Sequence, residues 1–464
     1  MEVLETTTRP GTIPAQKDSK EWLPQVAAAL LFTLYAVFAI RRHQLGLTGG
    51  YDLGIFEQAV RHLAHFEAPR TLVDNEIFPR FIIVLLAPLY AVFPSPVTLL
   101  VAQAFLIAIG VIPLMAWAKL SLGTYGSIVI AFVYGVAPGI ATAVGFDFHE
   151  IAFAVPLIAW SMSALGQEQW RRAIYWALPL VLVKEDLGLT IVAAVGAYVY
   201  CKGERRLGAL TAAFGVSCTL VTTLVLIPAL NGGYFAADMV PRTIGGLIET
   251  GFSGIDLKTI TIVAVLGPTL FLALKSPIVL IAAPTLVLRF VIDNENFWYP
   301  TFHYDAVLVP IITAAFIHGL RRRPGPMDQK VFLTAALIAT GAMACFFDFN
   351  QLAKTAFWTE SRHAQAIHRL VALVPDDARV AASSDLIPQL TSRTEVVWFG
   401  SGCDCGPAVR PGNWQSADWI IVDTRIRKEF TGGNAAAFNT LLVNNFSLVA
   451  ESDGVRLARR DVGR

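Results

Sequence analysis

Residues 81–118 read FIIVLLAPLYAVFPSPVTLLVAQAFLIAIGVIPLMAWA and contain no charged side chain. The next residue, Lys119, carries the only charge as far as Phe146, and the stretch 207–237 contains none at all. A soluble fold needs charge on its outer faces, whereas a helix crosses a bilayer with about 20 apolar residues. Of the 464 residues, 55% are hydrophobic and only 15% are charged. The sequence therefore predicts a polytopic membrane protein and excludes an ordinary soluble enzyme.

The overall charge and the N-terminus narrow the class further. A net charge of +1 argues against nucleic acid as a partner, because phosphate binding needs a clustered basic excess. Residues 1–20 are polar and contain prolines, which predicts a disordered tail. The first apolar run, 22–40, is long enough to stay in the bilayer as a helix, so we expect no cleaved signal peptide.

Charge density divides the chain near Phe347. Residues 21–347 contain apolar runs for about ten to twelve spans, several of them short and many with a proline inside or beside them. Residues 348–464 are richer in charge, which predicts a small soluble α/β domain. Its predicted elements are strands at 379–383, 395–399 and 419–423, a helix at 435–444, and a hairpin of 446–450 with 455–459.

Basic residues in the short loops predict the orientation, because cytoplasmic loops carry an excess of Lys and Arg. The basic loops are Arg171-Arg172, 202–206, Lys275 and Arg321-Arg322-Arg323. Alternation from these loops places 144–150, 184–186, 291–303 and the C-terminal domain on the extracytoplasmic side. Segment 41–80 is different, because its arginines alone favour the cytoplasm. Its side depends on whether the short run 81–93 crosses the bilayer, and the sequence leaves this open.

Four polar clusters border the apolar runs, where ionisable side chains are costly and often functional. They are Asp52 to Gln58, continuing as an amphipathic stretch to His65; Asp147, His149 and Glu150; Lys184, Glu185 and Asp186; and His303, Tyr304 and Asp305. The last three share one predicted face of the membrane. This shared face favours a joint site.

Each cluster also has a structural explanation, which the sequence leaves open. Asp52 suits a helix cap, and Glu57 suits a solvated helix surface. Asp147 and His149 are placed to close a tight loop by a hydrogen bond, and Lys184, Glu185 and Asp186 are placed to neutralise one another. His303 and Tyr304 suit the aromatic belt at the membrane interface.

The sequence predicts no cofactor and no metal site. A divalent metal at Asp147, His149 and Glu150 is a weaker alternative, because their spacing matches no standard ligand motif. Cys403-Asp-Cys405 offers two thiols, too few for a structural zinc site. Neither a Gly-rich phosphate loop nor a nucleophile elbow is present.

Several phrases of the sequence together resemble a known family. They are Tyr51-Asp-Leu-Gly-Ile-Phe-Glu-Gln58, Leu86-Ala-Pro-Leu-Tyr-Ala-Val-Phe-Pro-Ser-Pro96, Phe146-Asp-Phe-His-Glu150, Leu182-Val-Lys-Glu-Asp-Leu187 and Val374-Pro-Asp-Asp-Ala-Arg-Val-Ala-Ala-Ser-Ser384. In this order the chain resembles the predicted membrane proteins of the DUF2079 family (domain of unknown function 2079), from about Gly50 to Phe399. That family in turn is similar to the C-type membrane glycosyltransferases (GT-C).

The resemblance implies a mainly α fold: a polytopic GT-C-like membrane domain followed by a small extracytoplasmic α/β domain. It implies a multi-pass protein of the plasma (inner) membrane, with the lipid bilayer and a polyprenyl-phosphate sugar donor as partners. In GT-C enzymes an acidic residue of the first extracytoplasmic loop is the general base. Asp52 matches it by order along the chain, and Glu57 is the neighbouring candidate. Relatives usually carry a His-Phe-x-Pro-like motif where this chain has Ile77-Phe-Pro-Arg80, so either Arg80 replaces that histidine or activity is altered or lost.

The physical chemistry of such a site is coherent. A carboxylate removes the proton of an acceptor hydroxyl as the anomeric carbon is attacked, and Arg61, Arg80 or Lys184 stabilises the phosphate leaving group. The other expected substrate-binding residues are Asp147, His149, Glu185, Asp186, His303 and Tyr304. Two alternatives stay open: a transporter or flippase, which also needs intramembrane charges and broken helices, and a non-catalytic assembly protein. The sequence does not identify the sugar, the acceptor or the oligomeric state.

Overall fold

The computed structural model describes residues 21–70, 80–230, 240–241, 243–322, 325–399, 416–425, 438–442 and 445–461. The first helices are α1 (Leu23–Gln44), α2 (Ile55–Ala64), α3 (Ala87–Val92), α4 (Pro96–Ile109), α5 (Val111–Gly135), α6 (Pro138–Gly145), α7 (Ile151–Gly166), α8 (Trp170–Ala177) and α9 (Ala193–Cys201). They are followed by α10 (Arg205–Val221), α11 (Ile227–Leu230), α12 (Ile244–Phe252), α13 (Ile255–Leu266), α14 (Ala283–Val291), α15 (Glu295–Trp298), α16 (Leu308–Arg321), α17 (Pro326–Ala344), α18 (Thr355–Trp358) and α19 (Arg362–Val371).

Many of the prolines in the apolar runs begin helices rather than break them. Helices α4, α6, α14 and α17 each have a proline in their first two positions, where its fixed φ suits the helix and its missing N–H is not needed. Short 3-10 segments lead into several helices, as Phe81–Leu86 does into α3. Pro156 is the exception within α7 and lies inside the helix.

The described helices confirm a polytopic membrane domain. By length and composition, 4 of them are able to cross a bilayer: Leu23–Gln44, Pro96–Gly135, Arg205–Leu230 and His303–Arg321. A bent pair, Ile244–Phe252 with Ile255–Thr269, adds a fifth if it is one broken span. Shorter apolar helices lie at Phe81–Val92, Ile151–Gly166, Gly188–Cys201 and Pro277–Val291.

The long stretch Pro96–Gly135 is two antiparallel helices, as the separate apolar runs predict. The chain reverses at Gly123, whose φ of 74° lies in the region that favours glycine. The Ser127 hydroxyl consequently donates to the Met115 carbonyl over 2.9 Å, although a straight helix would hold these residues about 18 Å apart. Ser161 reaches the Ala173 carbonyl in the same way, so α7 and α8 also form a hairpin.

The helix turns collect at two ends of the bundle. At one end the basic turn 169–172 lies beside Glu204 and Leu207, and Lys275 packs near Gly319. At the other end the segment after α1 meets the two polar turns, because Gly49 contacts Asp147 and Arg80 contacts Glu185. The structure therefore places the described part of segment 41–80, residues 41–70 and Arg80, at the polar end, which the sequence left open. That this end is extracytoplasmic stays a prediction from the basic turns.

The C-terminal part contains the predicted α/β elements. In the described residues the strands are β1 (Arg379–Ala382), β2 (Glu395–Trp398), β3 (Trp419–Asp423), β4 (Phe446–Ser452) and β5 (Val455–Arg460). They form one sheet in the order β2-β1-β3-β5-β4, in which β1 is parallel to both of its neighbours and β5 is antiparallel to β3 and β4. The predicted hairpin closes at Asp453 and Gly454, both with the positive φ that a tight hairpin turn requires.

Both faces of this sheet are covered. Helix α19 packs Ile367 and Leu370 on one face, while Phe438 and Phe446 fill the other. Residues 438–442 are helical, as predicted, and the rest of the expected helix 435–444 lies outside the described residues. A helical membrane part and a small α/β part are therefore both present, in the predicted order.

Candidate functional site at the polar end of the helix bundle

Asp52 lies in a turn of π-helix, Gly50–Gly54, directly before α2. It caps neither the π-helical turn nor α2, because their capping positions are Gly49 and Gly54. Its side chain is 13% exposed, and the His149 ring lies beside it, with Nε2 3.8 Å from Asp52 Oδ1. No hydrogen bond to the Asp52 carboxylate is formed by the described residues. Burial, together with Asp147 and Glu150, raises the pKa of Asp52 well above its ordinary value.

Asp147 supports that turn from the side of the helix bundle. Its Oδ2 accepts a hydrogen bond from the Gly49 backbone N–H at 2.7 Å, so the carboxylate acts as a cap supplied from another loop. Burial raises the pKa of Asp147 to about 7, against the backbone hydrogen bonds from Gly49 and Leu53. The predicted hydrogen bond between Asp147 and His149 is therefore replaced by one to the Asp52 turn.

Gln103 shapes the loop that carries Asp147 and His149. Its Nε2 donates to the carbonyls of Ala143 (3.1 Å) and Asp147 (2.9 Å), and its Oε1 accepts from the His149 N–H at 2.9 Å. Gln103 is not among the site residues predicted from the sequence. The available signal was a buried amide in the middle of an otherwise apolar span, which must find hydrogen-bond partners.

His149, Glu150, Arg80 and Glu185 form a chain of charges behind Asp52. Glu150 Oε2 lies 2.5 Å from His149 Nδ1, and its Oε1 lies 3.3 Å from Arg80 Nε. Arg80 also pairs with Glu185. Burial opposes ionisation of Glu150, but His149 and Arg80 outweigh it and lower its pKa to about 2. Burial lowers the pKa of His149 in spite of Glu150. Arg80 is thus shared between two carboxylates.

An aromatic wall faces His149. The His303 ring stacks on it with centroids 3.5 Å apart, and Tyr304 lies 4.3 Å from His303. His303 is 5% exposed, and neither of its ring nitrogens has a hydrogen-bond partner in the described part of the chain. Buried polar groups are nearly always hydrogen-bonded, so this edge is a place for water or a ligand group.

Lys184, Glu185 and Asp186 do not neutralise one another as a local triplet. Glu185 pairs with Arg80, while the Lys184 ammonium lies 5.9 Å from the Tyr304 ring. Lys184 has no carboxylate within 4.0 Å among the residues described. It still lowers the pKa of Asp52 and Glu150, which shows that its charge acts on the site. Burial raises the pKa of Asp186, whose backbone carbonyl accepts from Thr190.

Glu57 and Arg61 lie apart from this cluster and face the C-terminal domain. Glu57 is fully buried, and it accepts hydrogen bonds from the Tyr90 hydroxyl (2.8 Å) and from Thr391. Burial raises the pKa of Glu57 to about 7, although both hydroxyls oppose this. Arg61 Nη1 donates to the carbonyls of Thr391 (3.0 Å) and Thr394 (2.9 Å). The structure thus brings the other predicted site residues together without these two.

No three His, Cys, Asp or Glu side chains in the described ranges are grouped as metal ligands. In the alternative set of Asp147, His149 and Glu150, the first carboxylate turns to Gly49 and the third lies against His149 and Arg80. The predicted pair Cys403 and Cys405 lies outside the described residues.

The sequence profile of the DUF2079 family, described as a predicted membrane protein, matches residues 42–457. The chain belongs to the DUF2079 family. A comparison with curated protein sequences gives no match. Among solved structures, this DUF2079 protein is similar to the crystal structure of ArnT from Cupriavidus metallidurans bound to undecaprenyl phosphate. The identity is 13% and the TM-score 0.58, over 96% of this chain and 99% of that chain. This likeness confirms the GT-C-like fold.

Proposed function

We propose that this protein transfers a sugar from a polyprenyl-phosphate donor to an extracytoplasmic acceptor, with Asp52 as the general base. The observation that carries the proposal is that one cluster contains both a carboxylate and a cation. Asp52 is a partly exposed carboxylate without a hydrogen bond from the described residues, and Lys184 is a cation with no carboxylate within 4.0 Å among them. A shared fold does not by itself imply a shared function. The undecaprenyl phosphate bound to the ArnT neighbour supports the class of donor.

In the proposed step Asp52 takes the proton of the acceptor hydroxyl. The acceptor oxygen forms a bond to the anomeric carbon as the bond from that carbon to the phosphate oxygen breaks. The electron pair of the broken bond leaves with the polyprenyl phosphate, and a single displacement inverts the anomeric centre. The proton on Asp52 then returns to water through the exposed part of its side chain.

The leaving phosphate needs positive charge and hydrogen-bond donors. Lys184 provides the charge that is least compensated by carboxylates, while Arg80 already serves Glu150 and Glu185. The unpartnered edge of His303 supplies a donor on the same wall. Arg80 therefore has a supporting role in place of the histidine that relatives carry.

The lipid tail requires an apolar surface that begins beside the site. The short helical segment Phe81–Val92 starts directly after Arg80. It exposes Leu85 (61%) and Val92 (67%) along its length. We place the first part of the polyprenyl chain along this segment.

The proposal is tested with the purified protein in lipid nanodiscs and a radiolabelled polyprenyl-phosphate sugar. We expect consumption of the donor and release of polyprenyl phosphate, and loss of both in Asp52→Asn. Full transfer by a folded Asp52→Asn protein would refute the role of Asp52 as the base. Uptake of substrate into proteoliposomes without donor consumption would favour the transporter alternative.

The extracytoplasmic position of the site is tested separately by thiol labelling in intact cells. Cys201 lies next to Lys202 at the basic end and is exposed, whereas Cys403 and Cys405 belong to the C-terminal part. With single-cysteine variants, we expect a membrane-impermeant maleimide to label Cys403 or Cys405 but to label Cys201 only after permeabilisation. The reverse pattern would invert the proposed orientation in the plasma (inner) membrane.

A further inference from the structure

The turn that carries Asp52 is covered by one side chain of the C-terminal domain, Ile387. A Cβ atom on Gly50 would lie 2.6 Å from Ile387 Cδ1, and a Cβ on Gly54 would lie 2.6 Å from Ile387 Cγ2. Ile387 is fully buried, so it has little room to give way. The two glycines that flank Asp52 are therefore the surface on which Ile387 rests.

Polar contacts join the same two segments. Ile387 belongs to the 3-10 turn Ser384–Gln389, which follows β1. From this turn the Ser384 hydroxyl accepts a hydrogen bond from the Gly50 N–H at 3.3 Å, and Gln389 Nε2 donates to the His43 carbonyl at 3.0 Å. The C-terminal domain thus holds the segment 43–50 before Asp52 at both of its ends.

Helix α2 extends this attachment beyond the turn. Ile55 is buried in the same hydrophobic cluster as Ile387, and Gln58 Nε2 donates to the Val396 carbonyl at 2.9 Å. From the opposite side Asp147 holds Gly49. The Asp52 turn is consequently fixed between a loop of the helix bundle and a turn of the C-terminal domain.

We propose that Ile387 and Ser384 are positioning residues, through which the C-terminal domain holds the Asp52 turn in its working geometry. The catalytic consequence rests on the proposed function, but the mechanical claim does not. Displacements of about 1 Å in a catalytic group cost about 10²-fold in rate, so a small loosening of this turn has a large effect.

The mechanical claim is tested by hydrogen–deuterium exchange of the full-length protein in nanodiscs. We expect Ile387→Ala to speed amide exchange in residues 49–58. Leu386→Ala is the matched control, because Leu386 is equally buried in the C-terminal core but is not among the side chains nearest to the two glycines. Unchanged exchange in 49–58, or the same change in both variants, would overturn the proposal.

The catalytic consequence is tested by kinetics of the same variants. We expect Ile387→Ala to lower kcat about 10- to 100-fold with little change in KM for the donor, and Ile387→Val to restore most of it. Gly54→Ala should also lower kcat, and the double variant Gly54→Ala with Ile387→Ala should recover part of the loss because the removed side chain makes room. Additive losses in the double variant would contradict the direct contact. A wild-type protein without transfer activity would refute the proposed function, while the exchange experiment would still decide the mechanical claim.

Discussion

Asp52 and Glu57 are carboxylates five residues apart on one continuous segment, yet they have opposite surroundings. Asp52 is 13% exposed and faces His149 across 3.8 Å. Glu57 is fully buried and is hydrogen-bonded by two hydroxyls, one from Tyr90 and one from Thr391. A carboxylate can act on a substrate only where the substrate reaches it. The difference supports the proposed assignment of chemistry to Asp52 and of domain attachment to Glu57.

The two sites also differ in what balances their charge. Lys184 lowers the pKa of Asp52, while burial and the two nearby acids Asp147 and Glu150 raise it. The pKa of Asp52 therefore depends on several charged neighbours. Around Glu57 the dominant influence is burial, which raises its pKa to about 7. A carboxylate whose pKa is governed mainly by burial affects stability and makes it depend on pH. A partly exposed carboxylate whose pKa depends on two acids and one cation is a candidate for catalysis.

The largest expected effect comes from exchanging each carboxylate for its amide. Asp52→Asn removes the proposed base, so transfer should fall by about 10²–10⁴-fold. Glu57→Gln keeps a side chain of the same shape that pairs with Tyr90 and Thr391, so transfer should stay close to that of the wild-type protein. Initial rates in nanodiscs, with protein amount and melting temperature checked for each variant, provide the measurement. Equal losses in the two variants would break the distinction between the two carboxylates.

A smaller effect is expected at Lys184. Lys184→Gln removes the positive charge that is proposed to stabilise the leaving phosphate. We therefore expect kcat to fall about 10²-fold. Because Lys184 lowers the pKa of Asp52, its removal raises that pKa further. Asp52 then loses its proton only at higher pH, so the acidic limb of the pH–rate profile should move to higher pH. Rates measured from pH 5 to 9 show this shift.

The matched control for this prediction is Lys202→Gln, at the basic end of the bundle. In the wild-type protein the Lys202 ammonium lies 5.4 Å from the centroid of the Tyr198 ring and far from the Asp52 turn. The same shift of the acidic limb in Lys202→Gln would show that the effect of Lys184 is not local.

The smallest effect is expected in the stability of the Glu57 site. Its folded pKa of about 7 exceeds the ordinary value of 4.5, so the folded state keeps the proton longer than the unfolded state. Stability is therefore lost as pH rises from 4.5 through about 7. Glu57→Gln removes this loss. The melting temperature of the variant minus that of the wild-type protein should therefore be a few degrees higher at pH 8 than at pH 5.

Thermal unfolding in detergent at the two pH values gives this comparison. Glu395→Gln, at the exposed first position of β2, serves as the control and should show no such change. A constant difference between Glu57→Gln and the wild-type protein at both pH values would mean that Glu57 does not titrate in the folded state as described.

Much of the fold was predictable because its helices and strands depend on local sequence patterns. Strand β3 coincides with the predicted 419–423, since a run of Trp, Ile and Val bounded by polar residues suits a buried strand. The separate runs on either side of Gly123 are two antiparallel helices, because the apolar segment, whose only charge is Lys119, is too long for one crossing. The hairpin at Asp453-Gly454 follows from the positive φ that Gly readily accepts.

The site was predictable only in part. Ionisable residues among apolar runs pointed to Asp52, Lys184 and His303, because such groups are costly in a membrane. The same signal included Glu57 and Arg61, which turn to the C-terminal domain. It missed Gln103, because it covers ionisable groups and not neutral amides, and it missed Ile387, because an aliphatic side chain does not stand out in an apolar sequence.

The sequence by itself determined that this is a membrane protein with a small α/β C-terminal part, since the scarcity and spacing of charges decide which segments lie in lipid. Only the tertiary structure decided at which end of the bundle residues 41–70 lie and which of the acids Asp52 and Glu57 faces the proposed site. Both answers depend on contacts between residues far apart in the chain, such as Gly49 with Asp147 and Glu57 with Thr391. Hydropathy and periodicity report only on neighbours along the chain, so they carry no information about such pairs.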